Sequence, residues 1–146
     1  DRRAWALFRG HHYLSNDLSE SAKCFVATHN GTPVAFTSYI HFPHPSPKAK
    51  NIKCEHRTVV LPDYQGVSIG NRISEWLGFH LQSLGYRFRS TTSHPSMIHH
   101  RSRSNLWRRD ALGHVSLIGK TGKTAMKAAN SASRISASFE FVGRRN

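Results

Sequence analysis

The sequence predicts a mixed α/β fold in which an antiparallel hairpin precedes a central strand–helix–strand unit. The dipeptide Asn30-Gly31 favours the tight turn of a hairpin. The strand-like segments 54–61 and 86–92 flank residues 70–84, whose apolar side chains recur with helical spacing. We therefore expect a central unit of two strands joined by a helix, beside the hairpin.

The first elements are a helical or turn-like segment and the two hairpin strands. Residues 4–20 begin with Trp5 and Phe8 three positions apart, which is typical of one helix face. Residues 22–29 and 33–41 have the composition of strands on either side of the hairpin turn.

A loop and the third strand follow. Residues 42–51 carry three prolines and are expected to form the loop. A period of two along residues 54–61 places alternate side chains on opposite faces. One face receives Cys54, His56, Thr58 and Val60, and the other receives Glu55, Arg57, Val59 and Leu61.

The segment 70–84 is the clearest helix, because one stripe of side chains repeats with helical spacing. Gly85 is placed to end it. The stripe consists of Ile73, Trp76, Leu77, His80, Leu81 and Leu84. The remaining segments are a partly helical 94–110, a short strand 114–118, a basic connection 120–136 and a closing strand 137–142.

The length of 146 residues fits one domain, and we expect residues 1–146 to form it with a truncated N-terminus. Lys and Arg number 21 against 8 Asp and Glu, a net charge of +13. Residues 86–146 hold 12 of the cations and only 2 of the acids. Such a positive field favours phosphate-rich partners, so we expect a nucleic acid or a phosphorylated ligand.

Other composition features narrow the class of protein. No apolar run approaches the ~18 residues that span a bilayer, so we expect no membrane association. Cys24 and Cys54 are too few for a disulfide framework and are expected to be reduced and buried in a cytoplasmic protein. The histidines lack the spacing of a helical metal site, and we expect no metal.

The segment between strand 54–61 and helix 70–84 is the most informative for function. A strand runs into a turn with Gly66 and Gly70 and then into an amphipathic helix. Backbone N–H groups at such a turn and the helix dipole together favour an anion, in particular a pyrophosphate. An ordinary left-handed turn before a helix would explain the glycines alone.

This segment resembles the acyl-CoA pyrophosphate loop of the GCN5-related N-acetyltransferase (GNAT) superfamily. The family pattern is Gln or Arg, two residues, Gly, one residue, and Gly or Ala; Gln65 matches its first position and Gly70 its last. Ser68 stands where the middle glycine is expected. The resemblance covers about two-thirds of the chain, and the element order from residue 22 to 119 follows the family.

The resemblance implies a GNAT-like fold with two splayed parallel strands and an acyl-CoA-dependent N-acyltransferase activity. The cofactor would be acetyl-CoA or another acyl-CoA. The Val60 N–H would polarise the thioester, and loop amides would hold the pyrophosphate. The implied cofactor residues are Val60, Gln65, Gly66, Val67, Ser68, Ile69, Gly70 and Asn71.

Two residues compete for the role of general base. The family often places a Glu on the strand that enters the loop, and Glu55 lies there. His56 is the alternative, because an ordinary imidazole titrates near neutral pH. Tyr13 is a third candidate for catalysis. The family's acidic tyrosine has no counterpart after Tyr86, so the general acid is left to Ser96, Ser102, Ser104 or water.

The acceptor is expected to be an amine, either on a nucleic-acid base or a nucleic-acid-linked group, or on a small molecule, an aminoacyl group or a protein. The cluster His11-His12-Tyr13 is similar to a His-Tyr pair of Mom-type DNA-modification proteins, and the chain looks similar to phage and bacterial GNAT domains behind ABC-type ATPases. Such an ATPase is therefore an expected partner. The expected acceptor-binding residues are His11, His12, Tyr13, Arg57, Arg101 and Trp107. The alternative is a non-catalytic basic module that binds nucleic acid on the same fold.

Overall fold

The computed structural model describes residues 1–12, 17–42, 46–47, 50–66, 68–110 and 136–143. Among them, six strands form one mixed sheet in the order β1-β2-β3-β4-β6-β5. The strands are β1 Lys23–His29, β2 Thr32–His41, β3 Ile52–Val60, β4 Arg87–Thr92, β5 Trp107–Arg109 and β6 Ala137–Phe141. The α-helices are α1 Trp5–Phe8, α2 Ile69–Ser83 and α3 Pro95–Arg103.

This architecture confirms the predicted mixed α/β class. Contacts divide the chain into two compact units, residues 1–89 and 90–146. The expectation of a single domain stays a prediction. Within the described ranges, no helix has the length and apolar character needed to cross a membrane.

The hairpin forms as predicted between β1 and β2, which pair antiparallel. Its turn residues, Asn30 and Gly31, both have positive φ, 50° and 80°. A turn with two such residues matches the right-handed twist of the strands it joins, which is why Asn-Gly selects a hairpin here.

The predicted strand–helix–strand unit is also present. β3 pairs antiparallel with β2 and parallel with β4, whose residues Arg87–Arg89 lie opposite Ile52–Cys54. α2 connects the two parallel strands and contacts both β2 and β3. β3 continues six residues past its last partner in β4, to Val60. The splaying expected beyond this point stays a prediction.

Apolar clusters cover both faces of the sheet in the first unit. On one face, Trp5 and Phe8 pack on Phe36 and Val59. On the other face, Ile73 of α2 packs in a cluster with Val34 and Ala35, and the partly buried Val60 packs against it. Burial of these side chains fixes which face each β3 residue occupies.

The segment 4–20, predicted to be helical or turn-like, is helical only in its first part. Helical turns cover only Arg2–His11, and His12 is already extended with φ −84° and ψ 129°. Gly10, a poor helix former, lies in the last turn. Residues 17–19 carry no helix. Residues 13–16 lie outside the described residues.

The stripe predicted on α2 is only partly buried. Ile73, Leu77 and Leu81 are buried as expected, together with Ser74. Trp76 and Leu84 are 47% and 55% exposed, so the stripe extends beyond the buried face of the helix. The buried face of α2 is therefore narrower than the apolar stripe in the sequence.

The second unit contains α3, β5 and β6. The helical part of segment 94–110 is α3, and β6 confirms the closing strand. β5, which pairs antiparallel with β6, falls inside that segment and was missed by the sequence analysis. Strand 114–118 and most of connection 120–136 lie outside the described residues.

Replacement of Phe36 by alanine tests the core between the sheet and α1. Phe36 is fully buried, with ring centroids 5.0 Å from Trp5 and 5.7 Å from Phe8. We expect Phe36→Ala to lower the free energy of unfolding in urea by about 3–5 kcal/mol, from lost transfer energy and a cavity. The control Leu84→Ala should stay within about 0.5 kcal/mol of the wild type. Equal effects of both variants would contradict this core.

Candidate active site

An irregularity in β3 organises the candidate site. Thr37 of β2 lies opposite Thr58 of β3, and Tyr39 lies opposite Glu55. β2 has one residue between these two pairs, whereas β3 has two. The extra residue defines a β-bulge in β3, a feature that bends a strand and redirects its side chains.

The bulge residues are His56 and Arg57, and both lie opposite Ser38. The Ser38 hydroxyl accepts a hydrogen bond from the Arg57 N–H at 3.0 Å and donates one to the Arg57 carbonyl at 3.2 Å. Ser38 is fully buried. Its side chain therefore satisfies backbone groups that the interrupted ladder would leave without partners.

Because of the bulge, the strict alternation predicted for β3 is wrong. Glu55 and Val60 both lie on the α2 face, since Glu55 accepts a hydrogen bond from Ser74 and Val60 packs in the cluster under α2. Val59 and His56 lie on the opposite face. One extra residue shifts the side-chain phase of everything that follows.

Glu55 is held from α2. The hydroxyl of Ser74, which is fully buried, donates a short hydrogen bond to Glu55 Oε2. Glu55 itself is only partly buried. The sequence analysis missed Ser74; its only signal was a small polar residue between Ile73 and Leu77 on the buried face of a helix.

Cys54 precedes Glu55, and its surroundings disfavour the thiolate. Burial raises the pKa of the Cys54 thiol to about 11, and the charge of Glu55 adds to the effect. The thiol is therefore protonated near neutral pH. Cys54 and Cys24 are free thiols, but both are half-buried rather than buried, which corrects that part of the prediction.

His56 makes a defined contact on the face away from α2. Its ring Nε2 accepts a hydrogen bond from the Ser19 N–H at 2.9 Å. Burial lowers the pKa of His56 to about 4, and the positive charge of Arg57 adds to this. At neutral pH the imidazole is uncharged, and the nitrogen that would accept a proton is already engaged.

The backbone of Val60 faces away from β2. Val60 lies opposite Ala35, and the neighbouring Leu61 N–H donates to the Val34 carbonyl at 2.9 Å. Antiparallel ladders alternate between bonded and non-bonded pairs, so the Val60 N–H and C=O point to the other side of β3. Gln65 Nε2 donates to that carbonyl at 2.9 Å and ties the loop to the strand.

The loop after β3 uses two left-handed residues. Gly66 has φ 87°, and Ser68 has φ 65° and ψ 14°. The conformation at Ser68 is one that glycine adopts without strain, which explains why the family pattern has glycine there. A Cβ added to Gly70 would lie 3.5 Å from Val60 Cγ2, so the helix start lies close to the strand.

The start of α2 fits a phosphate group. The first turn carries no acidic residue, and Ser68 makes no side-chain cap. The N–H groups of Ile69, Gly70 and Asn71 precede the first intrahelical donor, the Arg72 N–H, which bonds to the Ser68 carbonyl at 3.0 Å. These three N–H groups are therefore suited to anion binding. Asn71 Oδ1 is buried and has no hydrogen-bond partner among the described residues. An oxygen there suits an N–H or O–H of a ligand.

The structure does not bring all the predicted acceptor-binding residues together at one site among the described residues. His12 lies with its ring centroid 6.1 Å from that of Trp5, and its charge contributes to the lowered pKa of His56. His11 is exposed at the end of the first helical turns. Tyr13 and the loop residue Val67 lie outside the described residues.

Arg101 and Trp107 lie together in the second unit. Arg101 is 1% exposed, donates to the Ser90 hydroxyl at 2.7 Å, and stacks on the Trp107 ring at 4.2 Å. Trp107 is also buried. This packing is that of an internal cation–π pair, and it does not present either side chain to a substrate at the surface.

Comparison with known proteins identifies the class. The acetyltransferase (GNAT) family model matches residues 2–101, and the chain belongs to this family. The prediction of a GNAT-type acyltransferase is thereby confirmed at the level of the family. A search of the curated proteins gives no match. The similarity to Mom-type proteins and the ABC-type ATPase partner stay predictions.

Solved structures support the fold. An acetyltransferase from Bacillus subtilis in complex with CoA is 10% identical, with a TM-score of 0.57, over 84% of this chain and 77% of that chain. The ribosomal-protein-S18-alanine N-acetyltransferase from Escherichia coli is 13% identical, with a TM-score of 0.52, over 99% and 89%. A GNAT-family acetyltransferase from Staphylococcus aureus is 12% identical, with a TM-score of 0.52, over 83% of this chain and 67% of that chain. The chain spans only 25% to 64% of some other solved proteins that it matches.

Replacement of Ser68 by glycine tests the loop geometry. A non-glycine residue with φ near 65° carries a steric cost that glycine avoids, although glycine loses more entropy on folding. We expect Ser68→Gly to raise the free energy of unfolding by about 0.5–1 kcal/mol in urea denaturation. The control Ser83→Gly, in the last turn of α2, should lower it. A destabilised Ser68→Gly would contradict the left-handed conformation.

Proposed function

We propose that this chain transfers an acyl group, in the simplest case acetyl, from acyl-CoA to an amine. The observation that carries the proposal is the junction of β3 with α2, where left-handed Gly66 and Ser68 precede an uncapped helix start. This junction combines an anion site with a nearby strand backbone that faces away from its neighbour β2. The CoA bound to the Bacillus subtilis relative supports the choice of ligand.

The donor would be held mainly by backbone groups. The N–H groups of Ile69, Gly70 and Asn71 would bind the pyrophosphate, and Gly66 allows close approach. The Val60 N–H would donate to the thioester carbonyl and stabilise negative charge there during attack. When bound, acyl-CoA supplies a thioester that is activated toward amines. Main-chain donors need no particular side chains, which is consistent with the departure at Ser68.

Glu55 would take the proton from the attacking amine. Its carboxylate is partly exposed on the α2 face, and the hydrogen bond from Ser74 fixes one of its oxygens. This hydrogen bond would orient the carboxylate for proton transfer. The high pKa of Cys54 argues against an acyl-cysteine intermediate, so the amine would attack the thioester directly.

Glu55→Gln tests this assignment. Glutamine keeps the size and accepts the Ser74 hydrogen bond but does not take up a proton. We expect kcat for acetyl transfer to fall by about 10²–10⁴-fold, with an unchanged Kd for acetyl-CoA. CoA release and acceptor mass report transfer across a panel of amines, peptides and oligonucleotides.

The matched control for Glu55→Gln is Glu75→Gln on α2. It removes the same charge from the same region and should keep most of the activity. Full activity of Glu55→Gln would refute Glu55 as the base. A folded wild type that does not bind acetyl-CoA in calorimetric titration would refute the proposed function itself.

A nucleic-acid partner is the second candidate, favoured by the charge of residues 86–146. The acceptor would then be an amine on a base or on a nucleic-acid-linked group, or the chain would bind nucleic acid without catalysis. Arg103 and Arg109 are exposed in the second unit, whereas Arg108 pairs with Glu140 at 2.5 Å. Exposed arginines of this kind bind phosphate and position a strand.

Salt dependence tests the nucleic-acid candidate. We expect the affinity for a duplex or single-stranded oligonucleotide to fall by at least about tenfold between 50 and 200 mM salt. The double variant Arg103→Gln with Arg109→Gln should weaken binding and reduce the salt slope by about two. The control Lys23→Gln with Lys50→Gln should change binding less. Affinity that does not depend on salt would contradict this candidate.

A further inference from the structure

A network of side chains holds the backbone of one irregular segment, Asp17–Glu20, which precedes β1. Arg57 Nε donates to the Asp17 carbonyl at 2.9 Å. The Arg2 guanidinium donates to the carbonyls of Leu18, Ser19 and Glu20, at 3.2, 2.6 and 3.2 Å. Two arginines thus bind every carbonyl of the segment.

The side chain of His56 binds an N–H of this segment. The Ser19 N–H donates to His56 Nε2. A neutral imidazole accepts at one nitrogen and carries its proton on the other. The contact therefore fixes the tautomer of His56, with the proton on Nδ1. Protonation at Nε2 would break the bond to Ser19.

The charges around His56 stabilise its neutral form. Arg57 follows it on β3, Arg2 reaches it from the first helical turn, and His12 faces it as well. The acids of the held segment, Asp17 and Glu20, are exposed, and the adjacent Glu55 lies on the other face of β3. A proton on His56 would add charge beside two guanidinium groups.

We propose that His56 is a positioning residue, whose neutral imidazole holds segment Asp17–Glu20 against the β3 bulge, and that it does not transfer protons. The catalytic consequence rests on the proposed function. Glu55 is adjacent to His56 and is held by Ser74 on the opposite face. Contacts on both faces therefore fix the bulge and, through it, the carboxylate.

The matched variants His56→Gln and His56→Asn test the proposal. The side-chain oxygen of glutamine reaches the place of ring Nε2, whereas that of asparagine reaches only the place of Nδ1. We expect His56→Gln to keep the slowed hydrogen exchange of the Ser19 amide and a kcat within a few-fold of the wild type. His56→Asn should lose at least about tenfold in the protection of the Ser19 amide from exchange and at least about tenfold in kcat, as expected for one lost hydrogen bond.

The acid side of the pH profile adds a second readout. As the pH falls from 6.5 towards 4, the unfolded His56 takes up a proton before the folded one, so the wild type loses stability in this window. The loss should be smaller in His56→Gln. The pH–rate profile of His56→Gln should keep the wild-type shape, because the base is elsewhere.

Two outcomes would overturn the proposal. A protected Ser19 amide in His56→Gln combined with a kcat as low as that of His56→Asn would make His56 a proton-transfer group. In the wild type, ¹⁵N shifts that place the ring proton on Nε2 would refute the tautomer, even if neither variant folds. Absence of acyl transfer in the wild type would refute the proposed function alone, since Ser19 exchange and the ring tautomer are measured without substrate.

Discussion

The β-bulge at His56 and Arg57 is the constraint on which the arrangement of the candidate site depends. It adds one residue to β3 opposite Ser38, and so brings Glu55 and Val60 to the α2 face while His56 and Val59 lie on the other. Without it, the two residues that compete for the role of base would exchange faces relative to Val60. The bulge is maintained by Ser38 from the neighbouring strand and by the contacts of His56 and Arg57 with the segment before β1.

Beyond the bulge, the end of β3 and the start of α2 lie close together. Gly70 lies close to Val60: a Cβ added to Gly70 would be in van der Waals contact with Val60 Cγ2. Gln65 bonds back to the Val60 carbonyl, so the loop keeps a fixed path from strand to helix. A preorganised backbone of this kind binds an anion without having to order itself first, and less free energy is lost on binding.

The sequence could predict the elements with strong local signals. Asn30-Gly31 specified its hairpin, and the spacing of Ile73, Leu77 and Leu81 specified α2, because turn chemistry and helical periodicity are local properties. The loop pattern around Gln65 and Gly70 led to the family. The exposed sides of Trp76 and Leu84 could not be distinguished from the core by hydrophobicity alone.

The features that were missed depend on contacts between distant residues. A bulge interrupts alternation without any marker in its own residues, since Ser38 lies 19 positions from Arg57. The same holds for Ser74. Its sequence position indicates only a helix residue, and its role depends on the contact with Glu55, 19 positions away. The acceptor residues Tyr13, His11 and His12 stay predictions, and the burial of Arg101 and Trp107 shows that basic and aromatic residues also build cores.

A nuclear Overhauser spectrum of the isotopically labelled protein tests the bulge most directly. The structure predicts contacts from Glu55 to Ser74 and from Val60 to Gly70, both on α2, and contacts from His56 to Ser19 and from Val59 to Phe36 on the other face. Regular alternation would instead bring His56 and Val60 to the same face. Contacts of both His56 and Val60 with α2, without a contact between Glu55 and Ser74, would contradict the account.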